Sequence, residues 1–262
     1  MKILHFVLPL FAATSAFAGA VPEKMAQAQI VFLGEIHDNP EHHENQADFV
    51  TALKPMAVVY EMLTEEVASG LSVADLATLE SLEQATDWAT SGWPDLSMYF
   101  PVFQAGPKAI YGAALPRDQA RIAMKNGIAD SFGPEAASYG LTSPLPEDQQ
   151  AEREALQMAA HCDALPETLL PGMVDLQRLR DAMLARAALI ALDETGGPVV
   201  VITGNGHARA DWGAPSYVAS VRPKVAVFSV AQTEDNAQQD PAFDLVLFAP
   251  PIDRPDPCAA FK

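Results

Sequence analysis

The sequence places four side chains capable of acid/base or ligand chemistry at the ends of apolar runs. They are Glu35, His37, Glu61 and His207. Carboxylates and imidazoles are costly to bury unless they are paired, so this placement indicates a metal site, an acid/base site or a tight hydrogen-bond network. Glutamate and histidine both suit zinc and other divalent first-row metals. The structural alternative is that the histidines cap helices while the glutamates accept bonds from backbone amides.

Three short apolar segments would carry these side chains as strands of a sheet. Residues 29–35, 56–61 and 198–204 are continuous apolar runs that end on a carboxylate or a glycine, which is typical of strands buried on both faces of a parallel sheet. Other short runs predict further strands at 108–114, 224–230 and 244–248. Since ligands of open parallel sheets bind beyond the carboxyl ends of the strands, the four side chains occupy the expected position of a binding site.

Helical patterns separate the predicted strands. They cover residues 40–53, 64–86, 116–127, 147–161 and 174–193. The first should begin with Asn39 as its N-cap and Pro40 at its first helical position, and the last two should form an antiparallel pair. Proline and glycine at 133–148 predict a long surface loop or a hinge. The order of elements predicts an α/β fold: an open, mostly parallel β-sheet flanked by helices, with a helical insertion around 130–195.

The N-terminus has the pattern of a secretory signal peptide. A single cation, Lys2, precedes the apolar stretch 3–11, and small residues then lead to Ala18. Cleavage is expected near Ala18, and residues 19–262 should form a single domain. The apolar stretch is shorter than the roughly 20 residues that span a bilayer, and no later uncharged segment approaches that length. These features predict a periplasmic or secreted protein without a direct membrane anchor.

The charge balance of the chain is strongly acidic. It has 34 acidic and 16 basic residues, for a formal net charge of -18, and such a field repels nucleic acid and anionic membrane surfaces. Neither is therefore expected as a partner, whereas a small molecule is. The field also disfavours an anionic ligand unless basic residues form a local patch, for which the candidates are Arg117, Arg121, Lys125 and Arg209.

Cys162 and Cys258 are the only cysteines of the chain. In an oxidising compartment they should form a disulfide, which would close a loop of roughly 100 residues and stabilise the fold by about 4 kcal/mol if the effect is one of chain entropy. The bridge would hold the proline-rich C-terminal tail against the rest of the domain. The alternative is two free thiols. A metal-binding or catalytic role is not expected, because neither cysteine lies in a CxxC motif or beside a candidate base.

Further histidines and a tyrosine are candidate site residues. His42 and His43 fall in the first turns of the helix that begins at Pro40; one of them is expected to face the site, and His42 is expected to be solvated. His161 should cap a helix end, where the helix dipole favours a cation. Tyr99 lies in an aromatic segment, where a tyrosinate could ligate ferric haem iron between apolar walls. Such segments more often form core, and core packing is the favoured interpretation.

The candidate residues fall in a series of short motifs. They are Gly34-Glu-Ile-His-Asp-Asn39 followed by His42, His43 and Gln46, then Tyr60-Glu-Met62, Trp88, Tyr99-Phe-Pro101, Pro116-Arg117 and Thr203-Gly-Asn-Gly-His207. In this order and spacing, over roughly residues 29 to 220, they resemble the ChaN-like haem-binding uptake family. The two GxxH motifs, 34–37 and 204–207, are shared by the wider Tiki/TraB/erythromycin-esterase superfamily.

The resemblance implies an α/β fold with a helical portion, and a protein that binds haem and acts in haem or iron uptake. It implies tyrosine and histidine as haem contacts, for which Tyr99 and either His207 or His43 are the candidate positions, with Arg117 as a further candidate for cofactor binding. A homodimer that holds the flat ligand between two surfaces is one expected arrangement. Members of the family are often lipoproteins, and this chain departs from them in lacking the lipobox cysteine.

The superfamily also contains metal-dependent proteases of the Tiki type and erythromycin esterases, which use a histidine-activated water. For this chain, that resemblance implies a hydrolase of peptides, esters or lactones built on Glu35, His37, Glu61 and His207. One of these residues would act as general base toward water, while a bound divalent metal or Arg117 polarises the carbonyl. A third interpretation is a scaffold that retains these residues only for folding.

Overall fold

The computed structural model describes residues 21–106, 108–234, 240–256 and 258–259. The predicted signal peptide, residues 1–18, lies outside this part of the chain. Within the described ranges, no helix combines the length and the apolar character that are needed to cross a membrane.

Six strands form one open sheet in the part of the chain that the structure describes. They are β1 (Ile30–Glu35), β2 (Ala57–Tyr60), β3 (Ile110–Gly112), β4 (Val199–Gly204), β5 (Val227–Thr233) and β6 (Leu245–Phe248). Their order across the sheet is β3-β2-β4-β1-β5-β6, and every pairing is parallel. The predicted α/β fold is confirmed. The strand predicted at 224–230 begins later, because a turn closed by the Val225 amide on the Arg222 carbonyl comes first.

Helices connect the strands. Those before β4 are α1 (Glu23–Ala26), α2 (Pro40–Leu53), α3 (Glu65–Gly70), α4 (Leu79–Thr86), α5 (Trp88–Ser91), α6 (Leu96–Gln104), α7 (Arg117–Asn126), α8 (Ile128–Phe132), α9 (Glu147–Ala160) and α10 (Leu170–Thr195). Those after it are α11 (Asn205–Ala208) and α12 (Ala214–Val221). As predicted, Pro40 opens α2 and the Asn39 side chain caps it by accepting from the Glu41 amide. Helices α8 to α10 occupy the predicted insertion around 130–195.

Apolar side chains cover both faces of the sheet. Along β1, Ile30 and Phe32 pack with α10 and its neighbours on one face, and Val31 and Leu33 pack with α2 and α6 on the other. All four side chains are at most 1% exposed. Because both faces of this strand are buried, its sequence is a continuous apolar run. Polar groups can therefore lie only at the ends of the strand.

The helix predicted over residues 64–86 is two helices in the structure, α3 and α4. Between them, Asp75 accepts hydrogen bonds from the backbone amide and the hydroxyl of Ser72. Thr78 and Ser81 then form a capping box that starts α4. Short polar side chains that bond nearby backbone amides compete with helix continuation, and here they end one helix and begin the next.

The segment 133–148, predicted as a surface loop, carries part of the core. Tyr139 and Leu141 are buried, and the ring of Tyr139 packs 4.8 Å from that of Phe132. The Arg178 guanidinium donates to the carbonyls of Gly140 and Ser143. Apolar side chains and a buried arginine therefore hold this segment against α10, which its proline and glycine content did not indicate.

The predicted disulfide between Cys162 and Cys258 is present. Cys162 lies just past the end of α9, which packs against α10. The bridge therefore holds the C-terminal tail against the rest of the domain, at the end of α9, as the sequence predicted.

Candidate functional site

Glu35 lies at the carboxyl end of β1 and is nearly fully buried. Its Oε1 accepts from the Tyr99 hydroxyl at 2.9 Å and from His37 Nδ1 at 2.8 Å. Its Oε2 lies 2.7 Å from the Gln46 amide nitrogen and 3.2 Å from His43 Nδ1. Burial would raise the pKa of this carboxyl, but the hydrogen bonds and charges of the two histidines outweigh it and lower the pKa to about 2. Glu35 is therefore ionised, and its carboxylate contacts four other side chains.

His37 is the accessible histidine of this cluster, with 37% of its side chain exposed. Its ring meets the Trp93 ring edge-on at 4.9 Å. Burial lowers its pKa, but the bond to Glu35 and the charge of Glu61 raise the pKa above its usual value. Its Nε2 lies over Gly204, where an added Cβ would be only 2.9 Å away. The ring thus occupies space that only a glycine at the end of β4 leaves open.

Glu61 follows β2 and is held by the end of β4. Its Oε2 accepts from the Thr203 hydroxyl at 2.6 Å and from the Gly204 amide at 2.8 Å. Its Oε1 faces His207 Nε2 at 3.4 Å. Burial raises the pKa of Glu61, but the charges of His207 and His37 lower it by more. This carboxylate lies between His37 and His207, and its negative charge favours the charged form of both rings.

His207 lies in α11 between two carboxylates. Its Nδ1 is 2.6 Å from Asp181 Oδ1, and its Nε2 faces Glu61. Burial opposes its charge, but both carboxylates favour it and raise the pKa of His207 to about 8. Burial raises the pKa of Asp181 to about 6 despite this partner. Asp181 comes from the middle of α10 and was not predicted; an aspartate among the apolar residues of a long helix was the available signal.

The structure therefore brings together the four residues that the apolar runs pointed to. Within the described ranges, no group of three or more histidine, cysteine, aspartate and glutamate side chains is arranged to hold a metal ion. The metal-ligand role predicted for Glu35, His37, Glu61 and His207 is not shown. What the arrangement provides is two histidines, each with a carboxylate on Nδ1, and a third carboxylate between them.

Tyr99 and His43 form an aromatic wall behind Glu35. Their rings are 4.1 Å apart, and Trp88 packs on Tyr99 at 5.1 Å. Both Tyr99 and His43 are fully buried, and burial followed by the nearby Glu35 charge raises the pKa of the Tyr99 phenol. Tyr99 is a core residue with a polar tip bonded to Glu35. The axial-ligand role predicted for Tyr99 and His43 stays a prediction.

The prediction that His42 is solvated was wrong. Its side chain is fully buried, and Nδ1 accepts a hydrogen bond from the Ile36 amide at 2.9 Å. Burial, together with the charge of His43, lowers the pKa of His42 to about 4. The first turn of α2 packs onto the end of the sheet, so this imidazole is neutral and fastens the loop after β1. The predicted cap at His161 is confirmed, because its Nδ1 bonds the Gln157 carbonyl at the end of α9.

The predicted basic residues have different surroundings. Arg117 is exposed at the start of α7, and its guanidinium lies against Gly92, where an added Cβ would be 2.5 Å from Nη2. The next residue after Gly92 is Trp93, which contacts His37. Arg209 instead pairs with Asp211 and stacks on Trp212 at 4.0 Å. Arg117 is therefore linked to the site through Gly92 and the following residue, Trp93, which contacts His37.

A cleft of about 820 Å³ lies at the edge of the sheet, away from these residues. It is lined by parts of α3, β3, α7 and α10. None of the predicted site residues lines it. The predicted residues therefore do not open into this cleft, and the cluster at the ends of β1, β2 and β4 is the candidate site.

Comparison with known proteins gives one family and several similar structures. The family described as "Haem-binding uptake, Tiki superfamily, ChaN" matches residues 21–218. The structure of ChaN of Campylobacter jejuni with cofacial heme binding is 19% identical, covers 82% of this chain and 85% of that chain, and has a TM-score of 0.61. At that identity it shows a shared fold. No curated protein matches the chain.

Two more distant structures are also similar. The type III effector HopBA1 is 11% identical, with a TM-score of 0.44, and covers 86% of this chain and 90% of that chain. A protein from Bacillus cereus is 13% identical, with a TM-score of 0.40, and covers 79% of this chain and 66% of that chain.

Proposed function

The chain belongs to the haem-binding uptake family ChaN of the Tiki superfamily, and on that premise we propose that it binds haem where β1, β2 and β4 end. Haem is here a cargo to be held and released. The proposal needs a ligand for the iron that solvent can reach, apolar surface for the macrocycle and a cation for a propionate.

The observation that carries the proposal is the setting of His37. Glu35 is ionised and accepts at Oε1, so the Nδ1 proton of His37 points to it. The raised pKa of His37 means that iron competes with a proton for Nε2, where the neutral form of the ring has its lone pair. A carboxylate on the second nitrogen fixes the tautomer and raises the basicity of a histidine ligand. The ring is 37% exposed and bordered by Trp93. This nitrogen fits iron, and His37 is the candidate ligand that solvent reaches, whereas the predicted candidates His207, His43 and Tyr99 are buried.

Arg117 is the candidate partner for a haem propionate. It is exposed, and its guanidinium lies against Gly92, the residue before Trp93 in the sequence; the Trp93 ring in turn borders His37. The strongly negative chain offers few such cations, so a local arginine is what an anionic ligand would require. Tyr99 and His43 support the same site indirectly, since the Tyr99 hydroxyl donates to Glu35 and the His43 ring pairs with it.

A haemin titration followed by absorbance tests the proposal. The parent should bind saturably and shift the Soret band. His37→Ala should weaken binding by at least about 10-fold and change the band. His161→Ala removes an imidazole that bonds the Gln157 carbonyl at the end of α9 and should match the parent. Tyr99→Phe tests the predicted tyrosine ligand in the same way. Absence of a shifted band in the parent would overturn the proposal.

We further propose that the protein acts in haem or iron uptake after export, in the periplasm or outside the cell. The N-terminal pattern with cleavage near Ala18 supports export, and so does the Cys162–Cys258 disulfide, since such bonds form in oxidising compartments. Cell fractionation and N-terminal sequencing should find a mature chain that begins near Gly19. Cytoplasmic protein with an intact N-terminus would contradict export.

A second candidate function is a histidine-dependent hydrolase of peptides, esters or lactones. The observation that favours it is the chain of contacts from Asp181 through His207 to Glu61, with distances of 2.6 Å and 3.4 Å. A buried carboxylate on Nδ1 orients an imidazole for proton transfer at Nε2. Turnover on a hydrolase panel that is abolished in His207→Ala and Glu35→Ala would support it. A panel without turnover would exclude these substrates.

A further inference from the structure

The C-terminal tail contacts the loop that carries His37. The Arg254 guanidinium donates to both carboxylate oxygens of Asp38, each at 2.9 Å, and to both of Glu234, at 2.6 Å and 2.7 Å. The family match ends at residue 218, so Arg254 and Glu234 belong to a part of this chain that the family description does not cover. Two bidentate contacts from one arginine give the tail a defined position on the loop.

Asn39 extends this contact to the start of α2. Its side-chain nitrogen donates to Glu234 Oε1 at 2.7 Å and to the Pro250 carbonyl at 3.0 Å, while its oxygen caps the helix by accepting from the Glu41 amide. The hydrogen bonds from Arg254 lower the pKa of Glu234 to about 2. The tail therefore holds Asp38 and Asn39, the two residues that directly follow His37.

The tail is also anchored at its far end. Cys258, four residues beyond Arg254, is bonded to Cys162 at the end of α9. A cross-link restricts the positions that the intervening chain can take. The segment that contains Arg254 is therefore fixed on both sides: β6 precedes it and pairs with the sheet, and Cys258 follows it and is bonded to Cys162.

We propose that residues 249–256 form a strap that positions His37, with Arg254 as the positioning residue; the inference rests on the proposed haem site. His37 is more than a third exposed, so burial alone does not orient its ring. Its orientation depends on the bond to Glu35 and on the backbone of residues 36–39. That backbone is held from α2 by His42 at Ile36 and by His43 at the His37 carbonyl. From the tail it is held by Arg254 through Asp38 and by Pro250 through Asn39.

Hydrogen–deuterium exchange on the haem-free protein tests the strap directly. Arg254→Gln should speed exchange about 10-fold in peptides covering residues 36–41 and leave those of β4 unchanged. Arg254→Lys keeps one charge but loses the fork geometry, so it should restore part of the protection. The matched control is Arg222→Gln, which removes another bidentate arginine, paired with Asp193, away from the loop. Unchanged exchange at 36–41 in Arg254→Gln would overturn the strap.

Haemin titration of the same variants tests positioning. Arg254→Gln should raise the dissociation constant about 10-fold and alter the Soret band, with partial rescue in Arg254→Lys, while the thermal midpoint stays close to that of Arg222→Gln. The double variant Cys162→Ser/Cys258→Ser should change affinity in the same direction. Faster exchange with an unchanged band and affinity would overturn the positioning role. If the parent itself does not bind haemin, the proposed function fails, and the exchange result still decides the strap.

Discussion

His37 and His207 are the histidines of the two GxxH motifs, and the protein holds them in different ways. The His37 side chain is 37% exposed, and its carboxylate partner Glu35 is two residues away in the sequence. The His207 side chain is 10% exposed, and its partner Asp181 comes from a helix 26 residues earlier. One histidine is open and locally paired, and the other is enclosed and paired across the fold.

The difference in exposure and partners indicates different roles for the two histidines, although the GxxH motif is the same for both. An exposed imidazole whose Nδ1 is bound offers Nε2 to a ligand. When one of the two carboxylates beside an enclosed imidazole is removed, the protein loses more stability, because water cannot reach the buried N–H group to replace the lost hydrogen bond. Ligand binding should depend mainly on the His37 side of the site, and stability mainly on the His207 side.

The largest effect on stability is expected from Asp181→Ala. It removes the fully buried carboxylate that bonds His207 Nδ1 and leaves Glu61 as the remaining carboxylate beside this ring; a buried charged group that loses its hydrogen-bond partner costs about 3 kcal/mol. The free energy of unfolding in urea measures this cost. Asp193→Ala, an exposed aspartate of the same helix paired with Arg222, is the matched control and should change stability little. Equal losses in the two variants would break the comparison.

The next effect concerns acid stability and Glu35. Its pKa is lowered from 4.5 to about 2, so the ionised group stabilises the fold above about pH 4.5, and this contribution is lost as the pH falls toward 2. At neutral pH it amounts to at most about 3 kcal/mol. The parent should lose stability through this range, and Glu35→Gln should lose less. Urea unfolding at several pH values measures the slopes; identical slopes would contradict the prediction.

Gly204→Ala should displace His37, the exposed histidine of the site, and cause a moderate loss of stability. The new Cβ would lie 2.9 Å from His37 Nε2 and 3.0 Å from Cε1, so the ring must move. We expect about 1 kcal/mol of destabilisation and a haemin affinity reduced about 10-fold. Gly206→Ala is the control, because its Cβ meets only the Gln177 amide at 3.6 Å. Parent-like haemin binding in Gly204→Ala would count against a ligand at His37.

The smallest effect on stability is expected from His37→Ala. We expect a loss of less than about 1 kcal/mol, because the ring is partly exposed and Tyr99, Gln46 and His43 still contact the Glu35 carboxylate once the ring is removed. Its loss should nevertheless weaken haemin binding. His207→Ala should cost clearly more in the same urea experiment. If removal of His37 destabilises the protein as much as removal of His207, the two histidines are not separated in role, and the site is one rigid unit.

Local signals in the sequence predicted much of this architecture. Continuous apolar runs identified β1 and β4, because strands buried on both faces carry no polar alternation. The cap at Asn39 depends on adjacent residues and was predicted for the same reason. The burial of His42 and Tyr139 was not predicted, since which face of a segment meets the rest of the protein is decided by packing and not by local pattern.

By itself, the sequence determined the strands, their polar ends and the side chains that meet there, because these follow from the chain's local pattern and from the rule that parallel strands end at one edge. Only the tertiary structure decided the partners. Tyr99 bonds Glu35 across 64 residues, Asp181 bonds His207 across 26, and Arg254 bonds Asp38 across 216. Such pairs depend on how α6, α10 and the tail pack against the sheet, and no spacing in the sequence encodes that geometry.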